Sequence, residues 1–518
     1  MSHFDVVIVG AGLSGIGAAC HLKQRCPDKT FALLERREAI GGTWDLYRYP
    51  GIRSDSDMHT LGYAFKPWLA DEAIADGPSI LEYVNETADE YDVRRHILFG
   101  RRVVAAEWST PDARWTLRVR RGDAGETADE PAEQEEITCN FLLMCSGYYS
   151  YDEPYRPAFE GEEDFEGPMF HPQEWPDDFD HAGKRVVVIG SGATAMTIVP
   201  AMAETAEHVT MLQRSPTWVV SRPDRDVVAN FLRKILPAAL AYRITRAKNV
   251  FLQQRVYEKT RTDPKKVRDF LLRQVRKHLG PDYDVEKHFT PRYDPWDQRL
   301  CLIPNADLFE AIKAGRASVV TDHIDRITKR GIRLASGEEL QADAIIVATG
   351  LNLELLGGAQ FAVDGRPVHF PDTFSYKGMM FSGVPNLVQT FGYINASWTL
   401  RADLTAEYTC RLLRHMDERG LRQCTPTLRE SDRDMPKRPW IQDFPAGYMR
   451  RGMHLFPRQG DREPWLNTQR YSVDRKLLRE APLEDGVLRF GNPAAGRAQG
   501  DAADAPERPG PAGRADRD

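Results

Sequence analysis

The chain of 518 residues is poor in several features that would by themselves have set its class. Its seven cysteines, Cys20, Cys26, Cys139, Cys145, Cys301, Cys410 and Cys424, are scattered, odd in number and without a Cys-x-x-Cys pair. That pattern argues against a disulfide scaffold, a redox-active dithiol or a zinc site, so no metal is expected, and it suits a reducing compartment. No stretch approaches the roughly 20 apolar residues of a membrane helix. The N-terminus lacks a basic region followed by a long apolar run. Its apolar segment, Phe4 to Val9, is a strand's length and leads into glycines, so it reads as the first sheet strand and not as a signal peptide. Excess positive charge is missing too: 69 Lys and Arg face 76 Asp and Glu, for a net charge of -7. With no basic stripe interleaved with aromatics, a nucleic-acid partner is not expected. A cytoplasmic protein is the expectation.

What is present is enough apolar sequence, 42% of residues, for two or three cores. Residues 5–15 read DVVIVGAGLSG, a continuous apolar strand followed by Gly10, Gly12 and Gly15 in G-x-G-x-x-G register and then a helical pattern. The first glycine makes the tight turn, the second lets backbone approach a pyrophosphate, and the third lets helix and strand pack closely. The helix N-terminus, with Ser14 in its first turn, offers free N–H groups to the phosphate charge. The next strand, Thr30 to Leu34, ends in Glu35, an acid placed to hold a ribose diol. Gly41-Gly42-Thr43-Trp44-Asp45 and Arg48 to Asp55 then set small residues before aromatics, which suits backbone running against a flat ring system. Taken alone, Asp55 reads equally well as a solvated or salt-bridged loop carboxylate. Val103 and Val104 are candidate neighbours of an adenine, Gly122 to Glu136 reads as an exposed acidic hairpin, and Phe141 to Ser146 as another buried strand.

A second nucleotide turn follows. Val186 to Ile189 is an apolar strand, and Gly190, Gly192 and Ala195 give G-x-G-x-x-A, with Ser191, Ala193 and Thr194 between them. The next strand, His208 to Leu212, leads to Gln213-Arg214-Ser215 where the first site had Glu35. A carboxylate there would repel a 2′-phosphate, whereas a guanidinium and a hydroxyl receive one, so NADPH is expected over NADH. The alternative is that Arg214 only covers the adenine face. Two such sites imply an α/β protein with two dinucleotide-binding, Rossmann-like domains.

Residues 222–280 differ from their surroundings. They carry sixteen Lys and Arg against five Asp and Glu in long helical patterns. Two readings stay open for this insertion: a substrate entrance with solvated charge, or an amphipathic surface resting on anionic lipid. Ala342 to Gly350, ADAIIVATG, reads as a buried strand returning to the first domain, and Met379 to Trp398 offers Asn395 and Trp398 as wall residues. Beyond Pro493 the apolar content falls away and Ala494 to Asp518 is expected to be disordered. The expected division is 1–150 and 341–490 for the first nucleotide domain, 151–220 and 296–340 for the second, 221–295 for the helical insertion and 491–518 for the tail.

Between the two turns, Phe165, Gly167, His171, Trp175 and Pro176 fall on the spacing F-x-G-x-x-x-H-x-x-x-W-P. This could be a loop whose aromatics plug two domains together. The pattern resembles the fingerprint of Baeyer–Villiger monooxygenases, a flavin-dependent class, and the wording of GGTWDLYRYPGIRSD, DPWDQRLCLIPN and KGMMFSGVPN is similar to the thioamide-activating subgroup. The resemblance implies FAD in the first site and NADPH in the second, with GGTW and RYPG-x-R-x-D (Arg53, Ser54, Asp55) lining the isoalloxazine. It places the catalytic arginine at Arg299 with Asp55 beside it. It implies oxygen insertion from dioxygen through a C4a-peroxyflavin, turning ketones into esters and S-oxygenating sulfides or thioamides. A fixed cation suits that chemistry because the peroxide must stay anionic to attack a carbonyl and the adduct keeps its charge. His171 is assigned to coupling the domains and not to proton transfer. The rival readings are a monooxygenase confined to S- and N-oxygenation, and a non-oxygenating NADPH oxidase or regulatory flavoprotein.

Overall fold

The computed structural model describes residues 1–122, 133–442, 444 and 446–493. The tip of the acidic hairpin and the tail Ala494–Asp518 lie outside them. The strand Ser2–Val9 sits in a nine-stranded sheet, parallel to Phe31–Leu34 on one side and to Gln134–Met144 on the other. Its buried run from Val6 to Val9 is apolar throughout because both faces of a parallel sheet are covered. Arg101–Ser109 and Arg114–Arg121 continue the sheet antiparallel, and Gln360–Val363 and Leu387–Gln389 join it from the far end of the chain.

A second sheet of five strands, all parallel, runs in the order Ala317–Thr321, His208–Gln213, Arg185–Ile189, Ala344–Val347, Met169–Phe170. In each sheet a glycine turn follows an interior strand, Ser2–Val9 in the first and Arg185–Ile189 in the second. Gly10 has φ +102° and Gly190 φ +141°, so both turns need a residue without a side chain. A Cβ on Gly10 would lie 2.7 Å from the carbonyl oxygen of Cys145, and one on Gly190 would lie 2.3 Å from that of Ala348.

That equivalence corrects one expectation. Ala344–Val347 does not return to the first sheet; it pairs with Arg185–Ile189, and Ala348 lies against Gly190 as Cys145 and Ser146 lie against Gly10. The boundary expected at 341 therefore lies after Gly350. The chain rejoins the first sheet at Gln360.

The insertion is helical as expected, with helices Val227–Ile235, Ala238–Thr262, Pro264–Leu279 and Val285–Phe289 between the paired strands Val219–Arg222 and Cys301–Pro304. Its long helix is fastened to the first domain by a buried polar seam. Tyr242 donates to the Tyr63 carbonyl at 2.9 Å, Arg246 donates to the Gly62 carbonyl at 2.7 Å, and Asn249 donates to Asp57 at 2.9 Å. Among the described residues no helix is long and apolar enough to cross a membrane.

Candidate active site

Both glycine turns open into one cavity of about 1200 Å³. At its first end, Gly10, Gly12 and Ser14 line the wall, and Gly15 stands behind them: a Cβ there would lie 1.9 Å from the Gly10 carbonyl oxygen. Glu35 is buried and accepts the Ala11 amide at 2.7 Å and the Arg37 amide at 2.9 Å. Burial raises its pKa and the two amides oppose that rise. Its oxygens are thus fixed at the rim of the turn, each with a lone pair left for a diol. Trp398 donates to Ser14 at 2.7 Å and stacks on Tyr148, so it supports the turn as well as lining the cavity. Asn395 also lines the cavity while its amide donates to the Gln469 carbonyl at 3.0 Å.

At the second end Gly190, Ser191, Gly192, Ala193 and Thr194 form the wall, with Ala195 fully buried behind. A Cβ on Gly192 would meet no protein atom within 4 Å, so that face is open to whatever the cavity receives. Ser191 bonds to the Ser215 carbonyl at 3.1 Å and the Thr217 hydroxyl at 2.9 Å, tying the turn to the next strand end. Arg214 and Ser215 lie exposed on the cavity wall, and Arg214 has no ion-pair partner among the described residues. These open glycine cradles, the fixed acid at one strand end and the uncommitted guanidinium at the other fit two dinucleotides differing at the 2′ position.

Between the two ends, Arg299 donates to Asp55 at 2.9 Å, and both line the cavity. Burial works against the charge of Arg299, but Tyr448, Asp55, Tyr148 and Tyr149 outweigh it, and its pKa stays raised. The guanidinium is a permanent cation. The three tyrosines were not singled out in the sequence. Tyr148 and Tyr149 directly follow the Ser146-Gly147 turn, which was the available signal, whereas Tyr448 comes from a distant segment with none.

Thr43 and Trp44 line the cavity, but four expected cofactor neighbours do not behave as expected. Asp45 turns to Arg37, with a contact at 3.1 Å, and is not on the wall. Ser54 is buried and accepts the Ala75 amide at 3.2 Å, away from the wall. Val104 sits at a bulge in its strand, and Val103 is the residue that reaches the cavity. Arg53 touches the wall, yet its guanidinium is paired with Asp307 and the Met196 carbonyl. It clamps the RYPG loop onto the second domain. Gly51, at φ +75°, belongs to the same clamp, since a Cβ there would lie 2.6 Å from Ala201.

The fingerprint residues form a strap at the edge of the second sheet. Phe165 packs with one face of that sheet and Trp175 with the other, where it meets Phe170 edge-on. Gly167 passes close to the backbone: a Cβ there would lie 2.5 Å from the Asp343 carbonyl oxygen. His171, only 2% exposed, accepts the Gln173 amide on Nδ1 at 3.1 Å and donates from Nε2 to the Gly350 carbonyl at 2.9 Å. Burial pulls its pKa down to about 4, so it is neutral with both nitrogens in use.

Residues 8–70 match the NAD(P)-binding Rossmann-like domain family, and residues 70–276 match the flavin-binding monooxygenase-like family. The FAD-containing monooxygenase EthA of Mycobacterium tuberculosis is 53% identical over 489 residues, covering 94% of this chain and 98% of its own. A solved oxidized steroid monooxygenase bound to NADP superposes with a TM-score of 0.76 at 24% identity, over 95% of this chain and 99% of its own. A structure of OTEMO in complex with FAD and NADP gives a TM-score of 0.67 at 25% identity, over 82% and 88% of the two chains. Identity of that degree extends over nearly the whole of both chains, and this chain belongs to the FAD-containing monooxygenases of the flavin-binding monooxygenase-like family.

Proposed function

We propose that this protein is an NADPH-consuming Baeyer–Villiger monooxygenase that inserts one oxygen atom of dioxygen into ketones, giving esters, and S-oxygenates sulfides or thioamides at the same site. The observation that carries this reading is the Arg299 cation, held by Asp55 inside the cavity on which both glycine turns open.

FAD, when bound, supplies two-electron storage and the activation of oxygen. Gly10, Gly12 and Ser14 would receive its pyrophosphate and Glu35 its ribose diol, with Thr43 and Trp44 against the ring. Gly190 to Thr194 would hold the pyrophosphate of NADPH, and Arg214 with Ser215 its 2′-phosphate. Arg299 stabilises negative charge where it develops on oxygen during transfer. Only one of its N–H groups is committed to Asp55, so donors remain to face that oxygen. Asp55 fixes the guanidinium's direction before the reaction begins, which removes the cost of reorienting it. Tyr148, Tyr149 and Tyr448 line the cavity around the cation. His171 is a positioning residue: with its lone pair accepting the Gln173 amide, it has no free site for a substrate proton.

The test is NADPH oxidation by the purified yellow protein against linear ketones, cyclic ketones, sulfides and thioamides, with products identified by mass. Esters and S-oxides formed in proportion to NADPH are expected. Quantitative hydrogen peroxide with no oxygenated product would overturn the reading.

A further inference from the structure

The helical insertion leaves a strip of large apolar side chains uncovered. Along Val227–Ile235, Val227, Phe231 and Ile235 recur at i, i+4 and i+8; along Ala238–Thr262, Leu240, Ile244 and Phe251 recur at i, i+4 and i+11. Phe231 is 59% exposed, Ile244 43% and Phe251 55%. The two helices pack against each other, and the long one is pinned from behind by the buried seam of Tyr242, Arg246 and Asn249. The outward direction of the strip is therefore fixed by the fold. Single exposed apolar residues need no explanation, but rows of this kind on two adjoining helices do.

Charge decides what covers it. Lys234 and Arg243 stand beside Ile235 and Ile244 and have no ion-pair partner among the described residues. The segment 222–280 has sixteen basic and five acidic residues; nine of the sixteen are ion-paired, and Lys234 and Arg243 are among those whose charge is left over. A second copy docking through the same strip would set basic surface against basic surface. An anionic lipid surface satisfies both the cations and the apolar side chains.

We propose that this strip is a docking face for an anionic lipid bilayer. The test uses full-length holoenzyme and co-sedimentation with phosphatidylcholine vesicles, with and without phosphatidylglycerol, at low ionic strength. Wild type is expected to bind the anionic vesicles at least about tenfold more than the neutral ones, and added salt to weaken that binding. Phe231→Glu with Ile244→Glu should lower binding by about tenfold or more, and Lys234→Glu with Arg243→Glu should abolish the preference for phosphatidylglycerol. All four side chains are exposed or fringe the strip, so flavin absorbance and NADPH oxidation with a water-soluble substrate should stay as in wild type. Those two readouts report on the monooxygenase reading separately. Failure of wild type to bind anionic vesicles, or equal binding by the Phe231/Ile244 variant, would overturn the proposal. So would self-association that this variant abolishes without any vesicle binding, which would assign the strip to contact between copies.

Discussion

Arg299 and Asp55, 244 residues apart in sequence, meet at 2.9 Å on the wall of the shared cavity. Each comes from a different lobe: Asp55 ends the RYPG loop of the first domain, and Arg299 leads into the strand Cys301–Pro304 beside the insertion. The pair therefore exists only when the two lobes are together. Arg299→Ala should lower ketone oxygenation by about 10²–10³-fold, the range for removing one preorganised stabiliser of developing negative charge. Sulfide oxygenation, which needs no anionic adduct, should fall far less. Asp55→Ala should cost less than Arg299→Ala, and the double variant should resemble Arg299→Ala alone, because Asp55 acts through the arginine. Steady-state kcat for a ketone and a sulfide across the four enzymes checks this.

The glycines of the two turns should separate folding from coenzyme binding. Gly15→Ala forces a methyl to within 1.9 Å of the Gly10 carbonyl oxygen, where only backbone can give way. The protein should purify with little flavin or fail to accumulate. At Gly192 the methyl meets no protein atom within 4 Å, so Gly192→Ala should fold and retain its yellow colour. It should instead raise KM for NADPH about tenfold or more by occupying the approach of the pyrophosphate. Flavin content by absorbance and KM for NADPH distinguish the two.

Arg214 has no ion-pair partner among the described residues, so replacing it should leave stability unchanged. Arg214→Asp removes a charge-assisted contact worth about 1.5–3 kcal/mol and adds repulsion. KM for NADPH should rise about tenfold to a hundredfold while KM for NADH changes little. An unchanged KM for NADPH would show that Arg214 only covers the adenine.

His171 predicts a pH dependence. Burial holds the native imidazole at about 4, against an ordinary value near 6.5 in the unfolded chain. Between those values the unfolded chain takes up a proton that the native protein refuses. Stability from this site is complete above about pH 6.5 and declines as pH falls toward 4, by at most on the order of 3 kcal/mol. His171→Gln should flatten the decline in unfolding midpoint between about pH 7 and pH 5. It should also loosen the tie to Gly350 and uncouple NADPH consumption from product. Identical slopes in the two proteins would contradict the assignment.

The parts of the site legible in sequence were those fixed by local backbone chemistry. A strand, a turn at positive φ and a helix N-terminus must follow in order, so both glycine turns and Glu35 could be placed from spacing. Arg299 and Asp55 were reached through family resemblance, since a contact spanning two lobes leaves no local trace. Ala344–Val347 was assigned to the other sheet because a fully buried parallel strand carries the same apolar run whichever sheet receives it. Val104 was included beside Val103 because alternation cannot foresee a bulge. The insertion's periodicity was readable, but which face would be left bare depended on Tyr242, Arg246 and Asn249 finding partners in the first domain.

The central claim is that the Arg299 cation serves oxygen insertion in a cavity shared by FAD and NADPH. It is tested most directly by giving wild type and Arg299→Ala a ketone, NADPH and ¹⁸O₂ and following the products by mass. The account expects an ester with a single labelled oxygen from wild type, and from the variant flavin reduction at an ordinary rate with hydrogen peroxide in place of ester. Labelled ester formed by Arg299→Ala at the wild-type rate would contradict it.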